Sequence, residues 1–223
     1  MKPTPTRGTD QTPRRIPGRR ERRKLATRDA LLDAARSLLV SRSMDALGVD
    51  EIVERADVAH GTFYNYFADK DALERELASQ SRARIEGEIA RVNEGVIDPA
   101  ERIARAFLSV LHLGISAPQQ ATAMMRLFPR ATDPAAPINS GVRRDAAEGM
   151  TQGRIVATSE DAVVACVMGV FTAGVNRALD LPAGRVRGFA QGLGTILLHG
   201  LGLKSAEAER IMRDAIEAIL PRQ

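Results

Sequence analysis

Apolar residues recur every three or four positions along most of this chain, which is the spacing of one face of an α-helix. The first clear run consists of Leu31, Ala34, Ala35, Leu38 and Leu39. No segment alternates apolar and polar residues between turn signals, which is the pattern of a half-buried strand. The chain is therefore predicted to be all-α, with about nine or ten helices.

Capping signals predict where several helices begin. Asp69 is a favourable N-cap for a long charged helix. Asp98-Pro99 opens the next helix, because proline suits the first helical position. The segment from Thr158 to Asp161 has the pattern of a capping box before an apolar helix. The predicted helices cover residues 25 onward, 49–56, 60–67, 69–93, 99–115, 119–128, 139–152, 158–179, 184–200 and 206–220.

The composition excludes several protein classes. Of the 223 residues, 44% are hydrophobic and 27% charged, which is typical of a globular protein. The single cysteine, Cys166, rules out an intrachain disulfide framework and suits a reducing compartment. The uncharged stretch from Ala162 to Asn176 is too short to cross a bilayer, which needs about 20 apolar residues. The basic, proline-rich N-terminus lacks the apolar segment of a secretory signal. We expect a cytoplasmic protein with no membrane partner.

Positive charge is concentrated at the N-terminus. The first 28 residues contain ten Lys or Arg and two acidic residues, whereas the other 195 contain 22 basic and 26 acidic residues. Residues 1–23 are rich in proline and glycine and lack apolar periodicity, so they are predicted to form a disordered arm. A basic arm on a mildly acidic body favours nucleic acid as the partner. A solvated tail without a partner is the alternative.

Four of the eight aromatic residues lie within residues 63–67. They belong to the second of two short predicted helices that are joined at Asp57-Val58, a tight turn because Asp tolerates left-handed backbone. Two helices joined in this way form a helix-turn-helix, whose second helix enters the DNA major groove. Phe63 and Phe67 fall on the inner face of that helix. A small aromatic core of an ordinary helical bundle is the alternative.

The outer face of the second helix has residues suited to reading DNA. Gly61 allows close approach to the groove, and Thr62 can contact a thymine methyl group or a phosphate. Asn65 has the amide donor and acceptor that match adenine. Tyr64 and Tyr66 flank this face, where their hydroxyl groups can reach phosphate oxygens.

The segment from Leu47 to Lys70 resembles the DNA-binding domain of the tetracycline-repressor (TetR) family. The shared pattern is a short helix ending in alanine, a turn, the motif Gly-Thr-Phe-Tyr-x-Tyr-Phe, and an acidic residue with Lys before the fourth helix. The resemblance covers about residues 25–75. It implies a homodimeric transcriptional regulator, usually a repressor that a small molecule releases from a palindromic operator. The domains implied are an arm (1–23), a DNA-binding domain (24–69) and an effector-binding and dimerisation domain (70–223).

Carried over to this sequence, the family pattern implies DNA contacts at His60, Thr62 and Tyr64, and a phosphate contact at Lys70. Three positions depart from the pattern. Leu47-Gly48 replaces the usual Thr or Ser cap, which puts a phosphate contact there in doubt. Asp57 replaces a turn glycine, and His60 replaces a residue that is more often Lys, Arg, Ser or Gln. The basic residues that could follow the DNA backbone or enter the minor groove are Arg19, Arg20, Arg22, Arg23 and Lys24.

Two predicted C-terminal helices have small residues at four-residue spacing. Each glycine costs a helix about 1 kcal/mol relative to alanine, so such a series indicates close helix packing. In the TetR family these two helices form the dimer interface; an intrachain contact is the alternative. The small residues form one ridge on each helix: Ala165, Gly169 and Ala173 on the first, and Gly184, Gly188, Gly192 and Gly200 on the second. Ile196 is also included in the predicted interface.

Helices between residues 70 and 157 are predicted to enclose an effector pocket, with further contributions from the helix that follows. Ordinary core packing is the alternative for each candidate residue. The apolar character of the set suggests a hydrophobic or amphipathic effector. The candidates are Phe107, Leu108, Leu111, His112, Met124, Met125, Leu127, Phe128, Phe171 and Asn176.

An enzymatic function is not expected. His60, His112 and His199 are isolated, and no His, Cys or carboxylate set has metal-ligand spacing. There is no glycine-rich phosphate loop and no nucleophile elbow. We predict no catalytic residue, no cofactor and no metal. The remaining alternative is a DNA-binding protein of the same fold without an inducer, acting as an activator or an architectural protein.

Overall fold

The computed structural model describes residues 18–220, which form ten α-helices and two short 3-10 helices without a strand. This confirms the all-α prediction. The 3-10 helices cover Met44–Ala46 and Pro137–Asn139. The α-helices are α1 (Arg19–Leu38), α2 (Val49–Arg55), α3 (His60–Phe63), α4 (Lys70–Val92), α5 (Pro99–Ser116), α6 (Pro118–Leu127), α7 (Ser140–Thr151), α8 (Glu160–Leu179), α9 (Ala183–Gly200) and α10 (Ser205–Ile219).

The capping prediction is confirmed at two helix starts and shifted at a third. The Asp69 carboxylate accepts a hydrogen bond from the Ala72 amide (2.6 Å), and Asp98 accepts one from the Ala100 amide (2.9 Å). At α8 the cap is Ser159, one residue later than the predicted Thr158, and its hydroxyl accepts from the Ala162 amide (3.3 Å).

The first helix begins earlier than predicted. Residues 19–23 were expected in the disordered arm, but they form the first turns of α1, with the Arg22 amide donating to the Gly18 carbonyl (2.9 Å). Arginine and glutamate are good helix formers, and the last proline of the arm is Pro17. The rest of the predicted arm, residues 1–17, lies outside the described residues.

Buried side chains form two hydrophobic cores. The smaller core joins α1–α3 to the beginning of α4 and to α6, with Phe63 at its centre and Leu127 at its edge. The larger core lies among α5 and α7–α10, and Phe107 is one of its fully buried side chains. We call α1–α3 the N-terminal lobe and α4–α10 the C-terminal lobe. Because α4 and α6 contribute to the smaller core, a shift of either helix changes the packing of the N-terminal lobe.

The helix α8 is long and apolar enough to cross a membrane by length and composition. In the fold, one of its faces packs against α5, α7 and α9 through buried residues such as Val164 and Val167. The apolar character of α8 on that face is therefore explained by the core of the C-terminal lobe.

Candidate nucleic-acid interface and effector cavity

The turn between α2 and α3 has the predicted tight geometry. Asp57 has a φ of 54°, which is left-handed backbone that Asp tolerates better than most residues. The Val58 amide donates to the Val53 carbonyl (3.1 Å) and closes the turn. The helix α3 is shorter than predicted, since it ends at Phe63. Beyond it, the Asn65 and Tyr66 amides donate three residues back in the manner of a 3-10 turn (3.2 and 2.9 Å).

The aromatic cluster divides into an inner and an outer set. Phe63 and Phe67 are buried, with ring centroids 5.7 Å apart, as their spacing predicts. Tyr66 is half-buried, whereas Tyr64 is 52% exposed. The other predicted DNA-reading residues lie on the same short segment: His60, Gly61 and Asn65 are exposed and Thr62 is half-buried. The segment thus presents one polar tip, and its contacts with DNA remain a prediction.

An acidic residue that the sequence reasoning missed holds His60. The Asp50 carboxylate lies 2.6 Å from the His60 Nδ1, and the His60 ring lies 5.5 Å from that of Tyr64. Asp50 is on α2, ten residues away in sequence, so no local spacing rule indicates the pair. The contact fixes the imidazole at the beginning of α3 and places a negative charge beside the predicted DNA-contacting tip.

Lys70 has partners that the sequence analysis did not foresee. Its ammonium group donates to the backbone carbonyls of Met44 (3.0 Å), Asp45 (3.3 Å) and Leu47 (3.0 Å). An ammonium group has three donors, so all of them are used within the protein. Lys70 thereby ties the beginning of α4 to the segment before α2, and its predicted phosphate contact would require breaking one of these bonds.

Glu51 takes over the capping role that the family pattern gives to a Ser or Thr at Leu47-Gly48. The Glu51 carboxylate accepts a hydrogen bond from the Gly48 amide (3.1 Å), which is the half of a capping box that does not depend on the cap side chain. Arg42 pairs with the same carboxylate (2.5 Å). The beginning of α2 is therefore held without a Ser or Thr cap.

The basic residues Arg19, Arg20, Arg22, Arg23 and Lys24 are all exposed on the first turns of α1. Cations are unfavourable at a helix N-terminus, which already carries the positive end of the macrodipole. Glu21 is the only acidic residue of that first turn. The arrangement is electrostatically unfavourable without an anionic partner, and this agrees with nucleic acid binding.

A cavity of about 750 Å³ lies between α1, α4, α5 and α6. Of the predicted pocket residues, His112, Met124 and Leu127 line it. Apart from His112, none of the residues of its polar wall was predicted, and part of that wall lies on α1, outside the residues expected to enclose the pocket. That wall includes Asp33 and Arg36 of α1 and Gln80, Arg84 and Glu88 of α4.

The other predicted pocket residues are distributed differently. Met125, Phe128 and Phe171, together with Met124, line a smaller apolar cavity of about 60 Å³. Leu108 and Leu111 are fully buried in the core and line neither cavity. Phe107 packs with its ring centroid 5.6 Å from that of Phe171, and Asn176 is exposed on α8.

A chain of polar contacts runs from the larger cavity into the N-terminal lobe. Arg36 donates to Gln80 (3.1 Å), and Gln80 donates to Glu76 (2.9 Å). Arg28 completes the chain by pairing with Glu76 (3.0 Å). Hydrogen bonds from Arg28 and Gln80 lower the pKa of the Glu76 carboxyl, which keeps it ionised. We call these four residues the α1–α4 chain.

The small residues of α8 and α9 lie on an open surface. No atom beyond the neighbouring helical backbone lies within 4 Å of where a Cβ would stand on Gly169, Gly188 or Gly192, and the same holds for Gly184 and Gly200. Ala173 is exposed, Ala165 is half-buried, and Ile196 is 68% exposed. By contrast, Gly194 packs directly on Met212. Within residues 18–220, a close intrachain contact therefore does not account for the ridge.

The part of the chain that the structure describes, residues 18–220, contains no group of three His, Cys, Asp or Glu side chains arranged to hold a metal ion. Cys166 lies on the exposed face of α8.

Comparison with known proteins connects the N-terminal lobe to DNA-binding regulators. The family model of bacterial regulatory proteins, tetR family, matches residues 31–77. An uncharacterized HTH-type transcriptional regulator of Mycobacterium tuberculosis is 30% identical over 92 residues, which cover 41% of this chain and 46% of that protein. The match thus spans about half the length of this curated relative.

Solved structures extend the likeness over most of the chain. The protein RolR in complex with resorcinol is 25% identical, with a TM-score of 0.57 over 91% of this chain and 97% of that one. A gamma-butyrolactone receptor (17% identity, TM-score 0.63, 88% and 97% coverage) has the same fold. So does a TetR-like transcriptional regulator from Rhodococcus sp. RHA1 (18%, 0.60, 85% and 100%). Residues 31–77 thus match the tetR family of bacterial regulatory proteins, and the chain as a whole shares the fold of TetR-like regulators.

Proposed function

We propose that the protein is a homodimeric, sequence-specific DNA-binding transcriptional regulator. In this proposal it is a repressor that leaves a palindromic operator when a small hydrophobic or amphipathic effector binds. The observation that carries the proposal is the exposed polar tip from His60 to Asn65, held on a buried aromatic pair within the segment that the family model matches. The protein works in the cytoplasm, on the nucleoid when it is bound to DNA, and has no catalytic role.

The α3 tip lies in the major groove of each half-site. Thr62 and Asn65 contact base edges, while Tyr64 and Tyr66 reach phosphate oxygens. Gly61 allows the protein backbone to approach the major groove closely. The basic first turns of α1 bind the DNA phosphates or the minor groove. The pairing with Asp50 orients His60 at the groove edge. The proposed DNA-binding domain covers residues 24–69 and the proposed effector-binding and dimerisation domain residues 70–223, a division supported by the start of α4 at its cap Asp69.

The second copy of the chain binds on the open face of α8 and α9. An exposed helical surface of glycine, alanine and one large apolar side chain, Ile196, suits close packing with an identical surface. Two copies related by a two-fold axis present two α3 tips, which matches the symmetry of an inverted repeat.

The effector binds in the 750 Å³ cavity, which is large enough for a drug-sized molecule. RolR, whose structure contains resorcinol, supports a small-molecule effector for this chain as well. The α1–α4 chain gives a route for the response. A ligand that competes for Gln80 or Arg36 weakens the contact between α1 and α4, and so changes the position of the N-terminal lobe.

The experiment that tests this function is the selection of bound sites from random duplex DNA with the full-length protein at near-physiological salt. We expect an enriched inverted repeat whose half-sites are separated by about one helical turn, the spacing of dimeric helix-turn-helix proteins. Recovery of DNA without any consensus, by protein shown to be folded, would contradict sequence-specific regulation. A full set of metabolite classes that leaves operator binding unchanged would favour the same fold without an inducer.

A further inference from the structure

One charged residue of the larger cavity has no ion-pair partner among the described residues. Asp33 pairs with Arg36 on α1. Glu88 accepts two hydrogen bonds from Arg91 (3.1 and 2.6 Å), which lower the pKa of its carboxyl. Arg84 is the remaining charged residue of the cavity wall, and it makes no hydrogen bond or ion pair with any residue from 18 to 220. The wall therefore has one cation whose charge no side chain of the described protein neutralises.

A second polar group in this wall also lacks a partner. The imidazole of His112 lines the cavity, and its Nδ1 is buried without a hydrogen bond. The hydroxyl groups of Ser109 and Ser116, on the same face of α5, already donate to backbone carbonyls (2.9 and 2.8 Å). They are left with acceptor capacity only, whereas His112 and Arg84, together with Ser81 and Gln120, have donors that no residue of the described protein uses.

The rest of the wall is suited to an apolar body. Ile85 and Ile89 of α4 lie one turn apart along the helix that carries Arg84. Val110, Leu113 and Met124 face them from α5 and α6. A cavity with an apolar wall and one unpaired guanidinium has the chemistry that binds a molecule with an apolar body and an anionic end. Arginine favours carboxylates in particular, since its planar donors fit the two oxygens.

We propose that the ligand of this cavity is an amphipathic monocarboxylate, held by Arg84 with a further hydrogen bond from His112. This inference rests on the proposed function, because it names the chemistry of the same effector site. The guanidinium at the mouth binds the carboxylate, and the apolar body lies between α4, α5 and α6. Neutral alcohols and cationic amines of the same shape are poor ligands, because Arg84 then stays unpaired or is repelled.

The test is calorimetric titration of the full-length protein, without DNA, with three probes of equal chain length: decanoate, 1-decanol and decylamine. We expect decanoate to bind at least about tenfold more tightly than either other probe, the usual contribution of a hydrogen bond to a charged group. Arg84→Met should remove that preference, and Arg84→Lys should retain part of it. His112→Phe should weaken decanoate binding by a smaller factor.

The matched control is Arg82→Met. Arg82 lies two residues from Arg84 on α4, pairs with Glu86 (3.8 Å) and does not line the cavity. It should leave all three affinities unchanged, and thermal unfolding checks that each variant is folded. Equal binding of decanoate and 1-decanol, preference for decylamine, full retention of decanoate binding by Arg84→Met, or no binding of any probe would overturn the inference.

The outcomes for the two proposals remain distinguishable. If decanoate binds through Arg84 but leaves operator binding unchanged, the ligand chemistry stands and effector release is contradicted. If the protein selects an inverted repeat and a neutral or cationic metabolite releases it, the regulatory function stands and the carboxylate inference fails.

Discussion

The two lobes differ in how their polar groups are used. In the N-terminal lobe, the side chains at the tip of α3 point outward, and Lys70 and the α1–α4 chain add polar contacts to the hydrophobic core that joins α1–α3 to α4 and α6. In the C-terminal lobe, charged side chains mostly bind one another. Arg102 pairs with Asp145 (3.0 Å) and with Glu148, and Arg154 pairs with Asp98 (2.6 Å) and Glu207 (2.9 Å).

This difference indicates which lobe can respond to a partner. A lobe whose ion pairs are satisfied internally keeps its shape when its surroundings change. The N-terminal lobe is attached through the smaller hydrophobic core, through Lys70 and through the α1–α4 chain, and only the last of these is a weak contact, since an exposed ion pair contributes at most about 1 kcal/mol. The larger cavity lies between the two lobes, lined by α1 on one side and by α4, α5 and α6 on the other.

The largest effects are expected from replacing one aromatic residue in each hydrophobic core by alanine. Phe63→Ala and Phe107→Ala should each lower the free energy of unfolding by about 3–5 kcal/mol, because both side chains are fully buried. Phe63→Ala should abolish operator binding while leaving the oligomeric state unchanged. Denaturant unfolding, gel-shift assays and size-exclusion chromatography measure the three quantities. Loss of the dimer in Phe63→Ala would show that the lobes are not separable in this way.

Next in size is the effect of a bulky residue on the open glycine face. Gly192→Leu should yield monomers on a sizing column and weaken operator binding, because the side chain stands where the second copy would pack. Gly194→Leu should instead destabilise the monomer itself, since Met212 occupies that space. Gly87→Leu, at an open glycine of α4, is the control and should do neither. An intact dimer in Gly192→Leu would remove α9 from the proposed interface.

Lys70→Met tests whether this lysine ties the lobes together or binds DNA. Removal of its three hydrogen bonds to backbone carbonyls should lower the free energy of unfolding by about 2 kcal/mol. The salt dependence of operator binding should keep its slope. A slope reduced by about 0.9, with stability unchanged, would assign Lys70 to a phosphate instead. Denaturant unfolding and a salt titration of binding distinguish the two roles.

The ion pairs of the C-terminal lobe predict a dependence on pH. Burial raises the pKa of Asp98, but the hydrogen bonds from Arg154 and the Ala100 amide outweigh burial, so the pKa lies below its usual value. A lowered carboxyl pKa stabilises the fold at neutral pH, and this contribution is lost as the pH falls below about 4, near the unfolded value.

The variant Asp98→Asn keeps an N-cap and removes the charge. Its unfolding free energy should be about 1–2 kcal/mol lower than that of the unmodified protein at pH 7. The difference should shrink steadily as the pH is lowered from 5 to 3. A difference that stays constant over this range would exclude the Arg154–Asp98 pair as its cause.

The smallest effect on folding is expected from the N-terminus. Deletion of residues 1–23 should leave the free energy of unfolding nearly unchanged, because the first buried residue of α1 is Leu31. Operator binding should weaken, and the slope of its salt dependence should fall by about 0.9 for each phosphate that the deleted residues neutralise. The same affinity and slope across a salt series would mean that the basic residues have no role on DNA.

Local signals in the sequence sufficed for much of the fold. The caps at Asp69 and Asp98 and the left-handed turn at Asp57 depend on neighbours within four residues, and all three were predicted. The cavity wall was not, because Arg36 and Gln80 meet only after α1 packs on α4, 44 positions apart. The same holds for Lys70, whose carbonyl partners lie 23 to 26 residues earlier.

The Lys70 contact has one more consequence. Three backbone carbonyls converging on one positive charge resemble the coordination shell of a bound alkali ion, but here the ion is part of the chain. An ion taken from the medium dissociates when it is diluted or exchanged, whereas an ammonium group on a four-carbon stem stays at a fixed effective concentration. The segment before α2 therefore keeps its shape when the potassium content of the cell changes. Ionic strength is expected to act on the contacts with DNA rather than on the fold of the N-terminal lobe.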